Sequence, residues 1–441
     1  MRIRRIFPDQ GTASFFGWLL LRYSYFKETV FVSAWPAFAN QNRAPARDDR
    51  IKSRNSCFIN HMEHSKGGKG MSVFTGKEKL KLGFGMMRLP KLEDGSIDIP
   101  QVSEMVDLFI EAGGTYFDTA FAYPGSEEAI RSALVERYPR ESYTLASKLF
   151  IQPGSSITEA EAKQEFDTSL SRSGTDYLDY YLVHAIQRSN YRKYEEYGIW
   201  DYVRKLRDEG RIRHYGFSFH SDPELLIQLL EAHPDSEFVQ LQINYADWDN
   251  PGVAARENFE ICRKYGKPVV VMEPVKGGIL ADPIDTVKAV FDRENNGMSY
   301  ASWALRYVAE KDNLLAVLSG MSSVEQMKDN LSFMKEFQPL SEHEHDVIRQ
   351  AQKALDEDQS IPCTACHYCT KGCPMNIPIP EIFNVENRKK GSPEFRIKRE
   401  YAIVTQDRGK ASDCIQCGQC ENACPQHLPI ISLLEQMRAM E

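Results

Sequence analysis

No stretch of this sequence stays apolar for long. The longest such run, residues 15–21, ends at Arg22, well short of the about 20 apolar residues that a membrane-crossing helix needs. No segment is therefore expected to span a bilayer. Positive charge is scarce too: 54 Lys and Arg against 62 Asp and Glu leave a net charge of −8, which gives no electrostatic footing for nucleic acid. Glycine (27) and proline (22) stand near average usage in 441 residues, excluding collagen-like and low-complexity architectures. Cysteine is almost missing from most of the chain. Outside the last 79 residues only Cys57 and Cys262 occur, without partners at metal-binding spacing, and both read as structural or incidental. What remains is ordinary globular composition, 42% hydrophobic and 26% charged, enough for one large domain and a small one.

Charge is unevenly spread. Residues 1–70 carry 12 Lys/Arg against 5 Asp/Glu, and the other 371 residues sum to −15. The first part has no sustained period of 2 or 3.6 and includes a polar basic stretch at 40–54. Arg4-Arg5 before an apolar patch and Ala37-Phe38-Ala39 imitate an export signal, but Arg22, Lys27 and Glu28 break the apolar region. Lys66-Gly67-Gly68-Lys69-Gly70 before Met71 is what a translated purine-rich ribosome-binding stretch would read as. Residues 1–70 are expected to be a non-native or disordered extension, with Met71 as the true start.

From residue 82 onward, short runs rich in Val, Ile, Tyr and Phe alternate with helical patterns. Strands are expected at 82–88, 116–120, 143–149, 177–184, 212–219, 238–245, 268–275 and 314–321, with helices such as 100–112, 127–138, 159–173, 223–232 and 324–333 between them. Several runs are nearly continuous hydrophobics, as parallel strands covered on both faces require. Eight such units over 82–335 match the ~250 residues of a closed (β/α)8 TIM barrel, an α/β fold. A doubly wound open sheet is the competitor, but Gly83-Phe84-Gly85 opens no helix directly and supports it poorly. The barrel is expected over 71–340, a helical linker over 341–360 and a small domain over 361–441.

Chemistry in such a barrel sits at the C-terminal ends of the strands. Asp118 ends the second, Tyr123 follows it, Lys148 ends the third and His184 the fourth. Singly, such an Asp caps a helix, such a Lys is solvated and such a His is a satisfied core residue. Together on adjacent strands they form a coherent set. A carbonyl accepting a hydride needs a proton donor, and a phenol titrating near ~10 is too weak an acid unaided. A buried ammonium beside it favours the phenolate, a carboxylate holds the ammonium, and a His orients the carbonyl oxygen.

The motifs Phe117-Asp118-Thr119-Ala120-Phe121-Ala122-Tyr123, Ala146-Ser147-Lys148 and Leu182-Val183-His184 resemble the catalytic tetrad of the aldo/keto reductases. So do Gly216-Phe217-Ser218, Gln240-Leu241-Gln242-Ile243-Asn244-Tyr245, Met272-Glu273-Pro274-Val275-Lys276-Gly277-Gly278, and Ser319-Gly320-Met321 with Gln326 and Asn330. The resemblance implies an NAD(P)-dependent oxidoreductase with a nicotinamide across the barrel mouth, Tyr123 as acid and Lys148, Asp118 and His184 in support. It also implies nucleotide contacts from Ser218, Gln242, Lys276, Gly320, Gln326 and Asn330. Gly320 and Gln326 stand where many members place Lys and Arg for the 2′-phosphate of NADP, and Phe219 where an Asn often meets the carboxamide. NADH, NADPH and a flavin all stay open.

The cysteine tail repeats one pattern. Cys363-x2-Cys366-x2-Cys369-x3-Cys373-Pro374 and Cys414-x2-Cys417-x2-Cys420-x3-Cys424-Pro425 are both the bacterial-ferredoxin run. Three thiolates of each run hold one iron–sulfur cube and the fourth ligates the other. One [4Fe–4S] cluster is thus expected on Cys363, Cys366, Cys369 and Cys424, the second on Cys414, Cys417, Cys420 and Cys373. Zinc also takes four thiolates, but this spacing, twice and each time before Pro, points to iron–sulfur. The 40 residues between Cys373 and Cys414 exceed those of compact ferredoxins and include a helical pattern at 379–388, giving a mostly helical dicluster module.

Two readings follow. In one, an iron–sulfur oxidoreductase reduces a small-molecule carbonyl, or oxidises the alcohol, while two clusters exchange electrons with a redox partner protein. In the other, the chain is an electron-transfer protein whose barrel is a docking scaffold or binds a flavin. Nicotinamide moves a hydride and a cluster one electron, so joining them calls for a one-electron mediator. No flavin motif is present. Cysteines of this kind belong in a reducing compartment, so the expected location is the cytoplasm. A chain beginning at Met71 is expected to keep the fold, the clusters and any activity. Loss of soluble, cluster-loaded protein on that truncation would refute the early-start reading.

Overall fold

The computed structural model describes residues 80–358, 360–389 and 393–441. The expected N-terminal extension, the Met71 start and Cys57 lie outside them. Eight strands, β1 (Leu82–Gly85), β2 (Tyr116–Asp118), β3 (Thr144–Leu149), β4 (Leu178–Ile186), β5 (Ile212–Phe219), β6 (Phe238–Gln242), β7 (Val269–Met272) and β8 (Leu314–Ser319), pair in parallel in chain order. β8 closes on β1 with Val317 opposite Leu82 and Ser319 opposite Phe84. The fold is the (β/α)8 barrel with a helical tail.

Burial explains the composition of the strands. All six residues of β3 and all nine of β4 are buried. Tyr116, Tyr180, Leu182, Phe238 and Leu318 fill the barrel interior, so it is a packed core and not a pore. Gly216 is required by this packing, because a Cβ there would lie 2.3 Å from the carbonyl oxygen of Phe238 on β6.

Several strands stop before their apolar pattern does. β1 gives way at Met86 to a 3-10 turn, β2 ends at Asp118, β6 at Gln242 and β7 at Met272. Ala120, Ile243 and Tyr245 beyond those ends remain fully buried. They pack under loops that fold back over the barrel, which is why the sequence pattern runs on. The helix expected at 127–138 is the short helix Ser126–Ile130 continued by a π turn at Arg131–Val135.

The segment expected as a linker is the helix Glu342–Asp356, opened by a capping box between Ser341 and Glu344. It packs Val347, Ile348 and Ala351 into the barrel's core, and Arg306 holds Glu344 through bonds of 2.6 and 3.2 Å. His343, which stays exposed, and His345 pair with Glu294 and Glu310. No helix among the described residues is long and apolar enough to cross a membrane.

The tail has its own core, in which Ile382, Phe383, Ile397, Tyr401, Ile430 and Leu434 from three helices surround the two cysteine loops. It sits on the C-terminal mouth of the barrel. Arg88 donates to the carbonyl of Thr364 at 2.7 Å, Lys371 to that of Ala122 at 3.2 Å, and Ser189 to that of Asn422 at 3.0 Å. Gln242 and Gln426 exchange amide bonds of 3.1 and 3.2 Å. The contacts thus come from the ends of β1, β2, β4 and β6.

The closest approach is at Gly277, after β7. Its φ is +66°, and a Cβ there would come within 2.6 Å of the Thr364 side chain. Gly277→Ala should cost ~1–2 kcal/mol from the left-handed conformation alone and also push the Thr364 loop off the barrel. Denaturant unfolding and protease cutting between barrel and tail measure both. A variant as stable and as resistant as the parent would show that this contact does not hold the tail.

Candidate active site at the barrel mouth

Lys148 is fully buried in the wall of the barrel, where a bare ammonium would be strongly unfavourable. It donates to Asp118 Oδ1 and to the carbonyl of Thr119, both at 2.6 Å. Burial pushes the Asp118 carboxyl up and the Lys148 ammonium down, and their mutual attraction opposes both shifts. Thr119 and Ser126 share a 2.7 Å hydroxyl bond, and Ser126 donates to the carbonyl of Met86. These bonds fix the turn in which Tyr123 sits. The Tyr123 ring meets His184 edge-on, with centroids 5.8 Å apart.

Asp118, Tyr123, Lys148 and His184 therefore converge on one rim. Their electrostatics differ from the sequence argument in one respect. Burial, then the charges of Tyr368 and Asp118, push the Tyr123 phenol well above its ordinary value, with Arg88 pulling it back. The expected lowering by Lys148 does not dominate, because that ammonium is engaged by Asp118 and lies 5.0 Å from the ring centroid. Burial, then Lys148, holds His184 well below the usual imidazole range, so the ring is neutral near pH 7 and can donate only one N–H.

The tetrad opens on a chamber of about 90 Å³ whose walls include Asp118, Tyr123, His184, His220, Gln240 and Glu273. Cys366, Tyr368 and Pro425 of the tail complete it. Asp118 Oδ2, His184 Nδ1, His220 Nδ1, Gln240 Oε1 and Glu273 Oε2 of these wall residues are buried with no protein hydrogen-bond partner, whereas buried polar groups are ordinarily paired. Glu273 also has a φ of +57°, a backbone state that non-glycine residues hold at a cost and that clusters at functional sites. Burial raises its carboxyl and drives His220 down to about 3.

A groove of about 530 Å³ adjoins the chamber, and Arg88, Glu273, Leu318 and Gly320 line both. The six expected nucleotide contacts divide here. Gly320, Gln326 and Asn330 line the groove beside helix Val324–Met334; Gln326 Oε1 accepts from the Ser322 N–H and Asn330 donates to Ser319 Oγ, both at 2.7 Å. Ser218, Gln242 and Lys276 are engaged elsewhere. Ser218 Oγ accepts from the Ala185 N–H at 2.7 Å. Lys276 forms a buried ion pair with Asp247, Gln242 donates to Asp247 at 2.8 Å, and both reach Gln426 of the tail. Sequence reasoning gave no role to Arg88, His220, Glu273 or Tyr368. Glu273 lay inside a quoted motif, whereas Tyr368 was hidden in a run read only for its cysteine spacing.

Cys363, Cys366, Cys369 and Cys424 line one cavity, while Cys414 and Cys373 lie near Cys420 and Cys417 is exposed. Both runs bend alike: Ala365 and Gln416, His367 and Gly418, and Asn376 and His427 occupy matching places, all with φ between 50° and 76°. Such turns aim backbone N–H groups inward, and N–H groups of Ala365, Tyr368, Glu421 and Leu428 bond cysteine sulfurs. Burial pushes the Cys366 and Cys420 thiols up to about 11 and 12, so they need a metal to become thiolates. These residues fit iron–sulfur clusters.

The profile of the aldo/keto reductase family matches residues 81–353, and that of the 4Fe-4S dicluster domain matches 362–428. An aldo-keto reductase of Mycolicibacterium smegmatis is 31% identical over 47% of this chain and 70% of its own length. The NADH-specific methylglyoxal reductase of Escherichia coli is 24% identical over 57% of this chain and 88% of its own. Among solved structures, an aldo-keto reductase of Bacillus halodurans in its holo form is 26% identical, covering 62% of this chain and 91% of that one at a TM-score of 0.49.

Anaerobically prepared protein should hold about eight iron and eight acid-labile sulfide per chain, as two cubanes require. Cys424→Ala should disturb the cluster held by Cys363, Cys366 and Cys369, visible in Mössbauer and EPR spectra. Damage confined to the cluster of its own run would show that the cross-ligation is wrong.

Proposed function

Since the chain belongs to the aldo/keto reductase family and is an oxidoreductase carrying a 4Fe-4S dicluster domain, we propose that it reduces a small carbonyl compound, or oxidises the alcohol, at the barrel mouth. The observation that carries this reading is that Asp118, Tyr123 and His184 line one small chamber beside the groove, with Lys148 bonded to Asp118 behind them. When bound, a reduced nicotinamide supplies a hydride and the clusters supply single electrons. Gly320, Gln326, Asn330 and Arg88 would hold the nucleotide in the groove.

The residues of the chain supply the protons. Tyr123 gives its hydroxyl proton to the carbonyl oxygen, the neutral His184 orients that oxygen, and Lys148, pinned by Asp118, keeps positive charge beside the phenol. The chamber is small, about 90 Å³. That agrees with the small dicarbonyl in the name of the Escherichia coli relative. A reducing compartment, the cytoplasm, suits a chain whose cysteines hold iron–sulfur clusters, and there a redox partner protein would meet the exposed Cys417 of the tail.

One observation favours a second reading. Cys366 lines the same chamber as Tyr123, so electrons could enter the barrel from the tail with no nicotinamide involved. Anaerobic turnover assays separate the two: carbonyl reduction with NADH or NADPH as the sole reductant supports the first reading, and reduction only with a low-potential protein donor, accompanied by bleaching and recovery of the absorption near 400 nm, the second.

Tyr123→Phe removes the proton donor and leaves the ring in place, so carbonyl turnover should fall by ~10²–10⁴. Because His184 is already neutral, kcat/KM should show no acid limb near pH 6.5. Unimpaired turnover in Tyr123→Phe would reduce the tetrad to an inherited scaffold.

A further inference from the structure

The chain is acidic in sum, yet one short stretch of the tail runs the other way. Residues 388–400 hold six Lys/Arg against two Glu in a chain whose net charge is −8. Within this stretch begins the helix Glu394–Val404, which turns Ile397 and Tyr401 into the core of the tail. Its opposite face is uncovered. Phe395, Arg399 and Ile403 recur there every four residues and so form one row, flanked by the exposed Arg396 and Lys398. Phe395 is 74% and Ile403 59% exposed. Of the five large hydrophobic side chains exposed among the described residues, four lie in the tail: these two, Met375 and Ile415. Such a concentration of bare apolar surface marks an interaction site.

The charge on this face is not neutralised by its own helix. Glu394 is taken by Lys398 at 2.9 Å and Glu400 by Arg388 at 3.4 Å. Arg396 and Arg399 have no ion pair among the described residues. The helix also lies against the second cysteine run. Tyr401, on its buried side, accepts from the Ala411 N–H at 2.8 Å, and the Ala411 carbonyl accepts from the Cys414 N–H at 3.3 Å. Ile415 follows directly, and Cys417 is exposed.

On the reading that the clusters exchange electrons with a partner protein, we propose that this helix face docks an acidic one-electron carrier. An aromatic and arginines around an apolar row are what the centres of protein interfaces are rich in, and the unpaired guanidinium groups steer a negatively charged partner onto it. In the complex the carrier gives up one electron and the tail takes it beside Cys414; no bond forms or breaks. Two other occupants fit less well. A second copy docked by two-fold symmetry would bring the same arginines together. Residues 1–70 of the chain itself carry 12 Lys/Arg against 5 Asp/Glu and share the sign of the face.

The test uses the full, cluster-loaded chain under anaerobic conditions, with an acidic flavodoxin as probe and a basic cytochrome c as control. Flavodoxin should bind, with Kd rising roughly tenfold from low to physiological salt. Arg396→Glu combined with Arg399→Glu should weaken binding roughly tenfold to hundredfold. Ile403→Ser should weaken it by roughly tenfold, and Leu92→Ser, an exposed position on the barrel, should change nothing. Every substituted side chain is exposed, so iron content and visible spectrum should match the parent; should the charge variant lose its clusters, Ile403→Ser alone decides. No binding by the parent, tighter binding of the cytochrome, or an unchanged Kd in cluster-loaded variants overturns the proposal. So does a parent that sediments as a dimer and becomes monomeric on Ile403→Ser. Stopped-flow mixing with reduced flavodoxin tests the other half separately: binding that these variants weaken, with no oxidation of the flavin, keeps the docking face and sinks only the electron-exchange reading.

Discussion

The arrangement of this molecule turns on one charge taken out of water. Lys148 sits in a central strand of the barrel with no exposed surface, and an ammonium there is tolerable only with its donors engaged. Asp118 from the neighbouring strand and the carbonyl of Thr119 engage them. Both partners lie where β2 leaves the sheet, so the requirement also determines the path of the turn that carries Tyr123. The same turn is held from below by Ser126 against Met86.

The second constraint is the seat of the tail. A parallel barrel leaves strand ends and loops facing water at its mouth, and here the dicluster domain covers that mouth. Its Thr364 loop is wedged between Arg88 and Gly277, and Gln426 completes a network with Gln242 and Lys276. Covering the mouth excludes water, which raises the Glu273 carboxyl, lowers His184 and His220, and strengthens every polar interaction in the chamber. The dicluster domain thereby also covers the candidate site. Of the residues that the family resemblance assigns to the nucleotide, Gln242 and Lys276 form a buried polar seam with Asp247 that reaches the tail, and Ser218 accepts from the Ala185 N–H.

Within the tail the two cysteine runs are structural twins that differ in what they face. Their turns repeat residue for residue at the left-handed positions, because both must bend N–H groups toward a cluster. The first presents Tyr368 to the chamber. The second meets the barrel through Asn422, Pro425 and Gln426 and leaves Cys417 exposed. An inner and an outer cluster would give the tail a direction, from solvent toward the chamber.

Much of this was legible in the sequence. Buried parallel strands must be apolar on both faces, so the eight strands stood out. Cluster geometry imposes its own spacing on cysteine, so the two runs stood out as well. Asp118, Tyr123, Lys148 and His184 were readable because their place at strand ends follows from the strand pattern. Strand ends were less legible, since buried loop residues such as Ile243 and Tyr245 prolong the apolar run. The helix Glu342–Asp356 read as a linker because an amphipathic pattern does not say which body covers its apolar face. Only the tertiary structure brought Tyr368 to Tyr123 and closed Glu273 and His220 into one chamber. Those pairings lie between residues up to 245 positions apart, joined by no periodicity or spacing, and they exist only because one folded domain rests on the mouth of another.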